Sequence, residues 1–280
     1  MTPVTDSLPF VADLSPDNAL LRVSGDDACD FLHKQFTNDV KALLPGTAHW
    51  SGWCTPKGRL LATFALAHDA QGYLLLLPAA FAEAIAKRLR MYVLRAKVKV
   101  EDVSAALPRF GLWGGAFPVG TFGLGEAQAL AFGGAPAGRA GTPEGWRLSL
   151  IRAGVACVVP GTQEEFVPQM ANFDLIGAVN FRKGCYPGQE IVARTQYRGI
   201  LKKRMVRVRS AVPLAPGESV FSPVFGEQSA GLVANSAPSP EGGFEALVVA
   251  QLEAIGQMAL HQGSPSGPVL AIETLPYALP

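Results

Sequence analysis

Between His49 and Pro78 the chain reads HWSGWC, RLLATFALAH and GYLLLLP, three apolar stretches broken at Pro56-Lys57-Gly58 and again near Gln71-Gly72. Runs this short, divided by turn-forming residues, read as a series of strands. Turns of so few residues have no room for a helical crossover, so the strands are expected to pair antiparallel. ALLRVSG at 19–25 reads as a further strand ending in glycine. Asp26 and Asp27 are placed to cap a helix over ACDFLHKQF, with TNDV at 37–40 as its exit. FAEAIAKRLRMYVL at 81–94 reads as a helix whose late Lys87, Arg88 and Arg90 suit the negative C-terminal end. AKVKVEDV at 96–103 alternates like a strand.

The middle is more broken. LPRFGLWGGAFPVGTFG is interrupted repeatedly by Gly and Pro, and AFGGAPAGRAGTPEG at 131–145 reads as a small-residue loop without a Walker arrangement. Residues 146–159 read as apolar strand-like segments around Arg152-Ala153-Gly154. Pro168 argues against one unbroken helix in EEFVPQMANFDLIGAVNF. After Lys203 the pattern is short β segments separated by Gly, Pro and Ser, as in a small C-terminal β barrel or sandwich. Strands and helices do not alternate as a regular unit, so the fold class is α+β.

Composition excludes several roles. With 49% apolar and 17% charged residues, the 280-residue chain can build a large core, sized for about two domains or three small ones. A net charge of +1 gives no global drive toward nucleic acid or membrane. MTPVTDSLPFVADL does not read as a secretory signal, and GYLLLLPAAFAEAIA contains Pro78 and Glu83, so a cytoplasmic protein without a membrane span is expected. Cys29, Cys54, Cys157 and Cys185 form no Cys-x-x-Cys pair, and the four histidines are scattered; a stable metal site is not expected.

One segment does not read as filler. In KGCYPGQE, residues 183–190, Cys185 follows Lys183-Gly184 and precedes a Pro187-Gly188 turn. A lone cysteine is usually a buried small hydrophobe. Here Arg182 and Lys183 favour thiolate, and the flanking glycines and proline favour a displayed side chain, so Cys185 is expected to be a partly exposed functional thiol. Glu190 is placed to act as an acid or base, or to cap the helix that IVARTQ begins. No adjacent histidine completes a nucleophilic pair in sequence. Arg182, Lys183, Arg194, Arg198, Lys202, Lys203, Arg204, Arg207 and Arg209 make the stretch basic, with Glu190 its one acid. Such a run is most often a solvated face; RNA phosphate, an acidic partner and a folate glutamate tail are the other anions it suits. Tyr186 and Tyr197 are the nearest aromatics, too few for base-specific recognition.

KGCYPGQEIVARTQYRG at 183–199 resembles the signature of the YgfZ family. FLHKQFTNDV at 31–40, PKGRLLATF at 56–64, IRAGV at 151–155 and FVPQMANFDLIGAVNF at 166–181 support the resemblance along essentially the whole chain. It implies an aminomethyltransferase-like, three-part folate-binding fold. Residues 1–203 would form a folate-binding body of two interleaved α+β subdomains, and 204–280 a small C-terminal β barrel. It further implies a folate-binding accessory protein, with tetrahydrofolate or a derivative as ligand, that serves assembly or repair of 4Fe–4S clusters in client enzymes. Those clients include radical enzymes that thiolate tRNA, so the link to tRNA modification is indirect. Cys185 matches the signature cysteine, a candidate transient ligand for iron, sulfur or a client cluster. Arg152, Gln169, Asn172 and Lys183 fall in the matching central segments and are candidate folate-binding residues; local hydrogen bonding or ion pairing is the competing explanation for each. One departure stands out. The related aminomethyltransferase has an acidic pair where GRLLAT places Ala62 and Thr63, so classical turnover is not expected. A tetrahydrofolate-dependent one-carbon transferase remains the alternative and requires another acid, Glu190 or Asp174. An RNA-binding module using 194–209 is the third reading.

Overall fold

The strand series of residues 48–78 supplies three strands of a five-stranded sheet. Its order is Ala48–Cys54, Leu60–Asp69, Gly72–Pro78, Asn18–Ser24, Lys99–Asp102. Leu60–Asp69 and Gly72–Pro78 pair antiparallel around a two-residue turn, with Asp69 opposite Gly72. The Gln71 N–H donates to the Asp69 carboxylate at 2.8 Å, and Gly72 supplies the positive φ. Nearly every residue of these two strands is buried, which is why their sequences are continuous apolar runs rather than alternating ones.

A computed structural model describes residues 7–197, 199 and 201–280. The chain divides into two compact units and passes between them several times. The first comprises residues up to Cys54, Ala62–Trp146 and Ala178–Pro187; the second comprises Thr55–Leu61, Arg147–Gly177 and Gly188–Pro280. Besides the sheet above, the first unit holds a second five-stranded sheet in the order Arg139–Ala140, Phe10–Asp13, Arg109–Trp113, Gln128–Phe132, Phe122–Leu124. It also holds the helices Ala28–His33 and Ala82–Val93. Arg109, buried, ties this unit together by donating to the carbonyls of Ser104, Ser15 and Asn18. Asp27 occupies the N-cap of the first helix, but its carboxylate accepts the Lys97 N–H at 2.7 Å instead of capping.

The second unit carries a six-stranded antiparallel sheet. Its order is His261–Gln262, Ser219–Phe221, Ser229–Pro238, Phe244–Gln251, Lys203–Ser210, Ala271–Glu273. Leu270 N–H donates to the Leu260 carbonyl at 2.8 Å and His261 bridges Val269, and the sheet curls into a half-barrel. Val206, Val208, Val220, Val233, Val248 and Leu260 fill its concave side, each burial contributing roughly 1.5–3 kcal/mol. The fold class is therefore α+β with a C-terminal curled sheet.

One expectation is corrected. Residues 143–152 are a helix, Pro143–Arg152, not a strand-like segment. The alternation in WRLSLIR imitates a strand, but the decisive signal lies upstream. The Thr142 hydroxyl accepts the Gly145 N–H at 3.1 Å, and Pro143 opens the first turn. No helix among the described residues is long and apolar enough to cross a membrane.

Glu245 is the polar anchor of the curled sheet. Its buried carboxylate accepts from Arg152 at 2.6 Å, from Arg207 at 3.1 Å and from the Ser239 hydroxyl at 3.2 Å. Burial opposes ionisation, yet the two guanidinium groups and Ser239 outweigh it and hold the pKa below the usual glutamate value. A depressed folded-state pKa gives stability that is present above the unfolded value, about 4.3, and lost as pH falls through the folded one. In urea titrations from neutral pH to pH ~3, Glu245→Gln is expected to lose about 3 kcal/mol at neutral pH and to show a smaller further loss in acid than wild type.

Candidate functional site

In the first unit the segment Ala178–Pro187 is pinned to residues 33–38. The Asn180 N–H donates to the Thr37 carbonyl at 3.0 Å, and the Thr37 hydroxyl donates to the Ala178 carbonyl at 2.8 Å. The same hydroxyl accepts the Gly52 N–H at 2.8 Å, so one threonine joins the segment to the strand Ala48–Cys54. The Asn180 carboxamide then accepts the N–H groups of Arg182 and Lys183 at 2.8 and 3.1 Å, which sets the turn leading to the cysteine.

Lys183 does not wave in solvent. It is 8% exposed, and its ammonium donates to the carbonyls of His33 and Phe36 and lies 4.9 Å from the centre of the Tyr186 ring. Burial lowers its pKa to about 8, against the opposing charges of Asp39 and Cys185. Cys185, two residues on, is exposed, while Cys54 is buried and its thiol is pushed far up by desolvation. The result is a solvent-facing thiol beside a fixed cation.

His33 is the residue that sequence reasoning missed. Its Nδ1 lies 3.2 Å from the Asp39 carboxylate, and its Nε2 lies 3.9 Å from where a Cβ on Gly184 would stand. Burial, then the Lys183 charge, lowers its pKa, so the neutral imidazole dominates at neutral pH. FLHKQFTNDV already contained both His33 and Asp39, but only folding brings them to the cysteine segment. Among the described residues no set of three or more His, Cys, Asp or Glu side chains gathers to hold a metal ion.

The other candidates lie in the second unit. Gln169 is buried, and its amide donates to the Val192 carbonyl at 2.7 Å, but its Oε1 has no donor. Asn172, in a left-handed conformation at the end of the 3₁₀ turn Pro168–Ala171, donates to the Met205 carbonyl at 2.8 Å and is fully buried. Arg152 is committed to Glu245 and to Glu241. Asp174, one acid the transferase reading needs, forms a two-pronged pair with buried Arg204 at 2.7 and 2.9 Å. Glu190, the other, is exposed in the helix Gln189–Tyr197. Ala62 and Thr63 are buried in the strand Leu60–Asp69.

Much of the basic stretch is neutralised internally. Arg204 pairs with Asp174, Arg207 with Glu245 and Glu273, and Arg209 with Glu241, while Lys183 is buried. Arg182, Arg194 and Lys202 are exposed, and Arg198 lies outside the described residues. The linear run is thus not a continuous basic surface.

The two glycines of the signature differ. Gly188 has φ of +80°, and a Cβ there would stand 2.4 Å from the Thr55 carbonyl oxygen and 2.7 Å from the Gly58 Cα. Gly184 carries no such constraint and has His33 Nε2 as its nearest neighbour. Gly188→Ala is expected to cost about 2 kcal/mol or more in urea unfolding, whereas Gly184→Ala stays within about 1 kcal/mol. In the native protein an alkylating reagent should modify Cys185 at least about tenfold faster than Cys54, read by peptide mass spectrometry.

No protein-family model matches the chain. Curated relatives do. The tRNA-modifying protein YgfZ of Vibrio vulnificus (strain CMCP6) is 29% identical over 246 residues, covering 76% of this chain and 75% of that protein. The tRNA-modifying protein YgfZ of Serratia proteamaculans (strain 568) is 25% identical and covers 97% of this chain and 94% of that protein. Among solved structures, the glycine cleavage system aminomethyltransferase T from Bartonella henselae superposes with a TM-score of 0.73 at 14% identity, covering 98% of this chain and 87% of that one. That likeness establishes an aminomethyltransferase-like fold. With several YgfZ proteins aligned along it and the signature segment intact, the chain belongs to the YgfZ family.

Proposed function

We propose that this protein is a folate-binding accessory factor for the assembly or repair of 4Fe–4S clusters in client enzymes. It acts in the cytoplasm and supports tRNA modification through clients such as tRNA-thiolating radical enzymes, rather than by contacting RNA. The observation that carries the reading is the exposed thiol of Cys185 on a turn held by buried Lys183. A soft donor displayed from a fixed backbone suits brief custody of iron, sulfur or a cluster on its way to a client. The client supplies the remaining donors. The name tRNA-modifying protein, carried by the YgfZ relatives, supports the link to tRNA.

Tetrahydrofolate is the proposed ligand of the body formed by residues 1–203, with 204–280 as the half-barrel part. The residues present fit such a ligand at one point in particular. Gln169 Oε1 is a buried acceptor without a donor, and a pteridine offers N–H donors. Asn172 holds the Met205 carbonyl and Arg152 the Glu245 carboxylate within the same unit as Gln169, and Lys183, in the first unit, carries a buried positive charge. When bound, tetrahydrofolate supplies a reduced pteridine. The absence of carboxylates at positions 62 and 63, and the pairing of Asp174 with Arg204, weigh against one-carbon transfer as the main activity.

Anaerobic calorimetry with tetrahydrofolate tests the folate half. Wild type and Cys185→Ala should bind saturably and alike, and Gln169→Leu about tenfold more weakly. Absence of binding to wild type sinks that half. One-carbon turnover abolished by Glu190→Gln would instead favour the transferase.

A further inference from the structure

The helix Ala28–His33 and residues 92–96 flank a cleft of about 370 Å³ that none of the residues above accounts for. Its floor includes Phe31 and Gln35, and its rim Tyr92, Leu94, Lys34 and Arg95.

Three features of the cleft leave chemistry open to solvent. First, Gln35 is 9% exposed, and its Oε1 has no hydrogen-bond partner. An unsatisfied buried acceptor is costly, and a donor entering the cleft would relieve it after rotation of the amide. Second, the helix Ala82–Val93 ends in Leu94 with φ of +44°, where glycine is the usual residue, and that leucine is 89% exposed. Met91 and Tyr92 beside it are also exposed, so the helix end presents contiguous apolar surface to solvent. Third, the charges at the cleft are unevenly engaged. Asp30 is bonded to Lys41 at 2.6 Å, and Asp27 accepts the Lys97 N–H. Among the described residues, neither Lys34 nor Arg95 has a carboxylate within ion-pair distance. Asp27 takes only that neutral N–H and keeps its negative charge, so the two free cations against this one carboxylate leave the lining net positive.

We propose that this cleft docks a short segment of a partner protein in which acidic and apolar side chains alternate. The acidic group sits between Lys34 and Arg95, an apolar side chain covers Tyr92 and Leu94, and a backbone N–H satisfies Gln35. A peptide fits better than a small metabolite because the apolar surface continues out of the cleft to Met91. This surface is independent of the folate reading, and its failure would leave that reading standing.

The test is an amide NMR titration of the full-length ¹⁵N-labelled chain. The probes are acetyl-Leu-Glu-Leu-Glu-amide, acetyl-Leu-Lys-Leu-Lys-amide and N-acetylglutamate. The glutamate peptide should give saturable shifts confined to residues 27–35 and 91–97. Arg95→Glu and Lys34→Glu, both at exposed positions, should each weaken it about fivefold while leaving the rest of the spectrum in place. The proposal is overturned by an absence of saturable shifts, by an equal response to the lysine peptide, or by binding indifferent to both charge reversals. The same shifts from N-acetylglutamate alone would also overturn it, by making the cleft a small-anion site.

Discussion

An ammonium group buried against two carbonyl oxygens organises the thiol site. Lys183 gives up most of its hydration to donate to His33 and Phe36, and it lies over Tyr186. An ammonium this deep is tolerated only when its protons are matched by acceptors. The His33 carbonyl is available because the helix Ala28–His33 ends there without an intrahelical partner for it, and the Phe36 carbonyl lies in the segment just beyond. The cysteine that follows is therefore displayed from a backbone held at Asn180, Thr37 and Lys183 rather than from a free loop. That is how an exposed residue keeps a defined position.

Buried polar anchors do comparable work in the second unit. Glu245 collects Arg152, Arg207 and Ser239 at the start of an interior strand of the curled sheet, and Arg204 closes on Asp174 and the Gln169 carbonyl. Desolvated charges of this kind contribute little net stability, but removing one partner is costly, so they specify register and segment placement. Gln169 is only partly satisfied, as is Arg207, whose buried Nε has no partner. One end of the Gln169 amide is satisfied by Val192 and the other is not. That open acceptor is the chemical basis of the folate proposal.

The strands were legible in the sequence because burial on both faces leaves continuous apolar runs, as in RLLATFALAH and GYLLLLP. The helix 82–93 was legible from its periodicity. The helix Pro143–Arg152 was not, since WRLSLIR alternates like a strand and its cap, Thr142, lies in a Gly- and Pro-rich stretch. The basic run misled differently. Charge order along 182–209 says nothing of pairing in space: the strand sends alternate side chains to opposite faces, and Arg204, Arg207 and Arg209 each meet a carboxylate from elsewhere in the chain.

By itself the sequence determined the α+β class, the signature segment and the identity of its thiol, because turn chemistry and hydrophobic pattern act over a few residues. Only the tertiary structure decided which polar groups face one another. His33 reaches the cysteine segment across 150 residues of chain through the Lys183 clasp. Arg152 turns to Glu245 instead of standing free. Gln169 is left with an unmet acceptor. Such pairings depend on long-range burial, where the cost of an unsatisfied group is set by whatever the rest of the fold happens to bring near it.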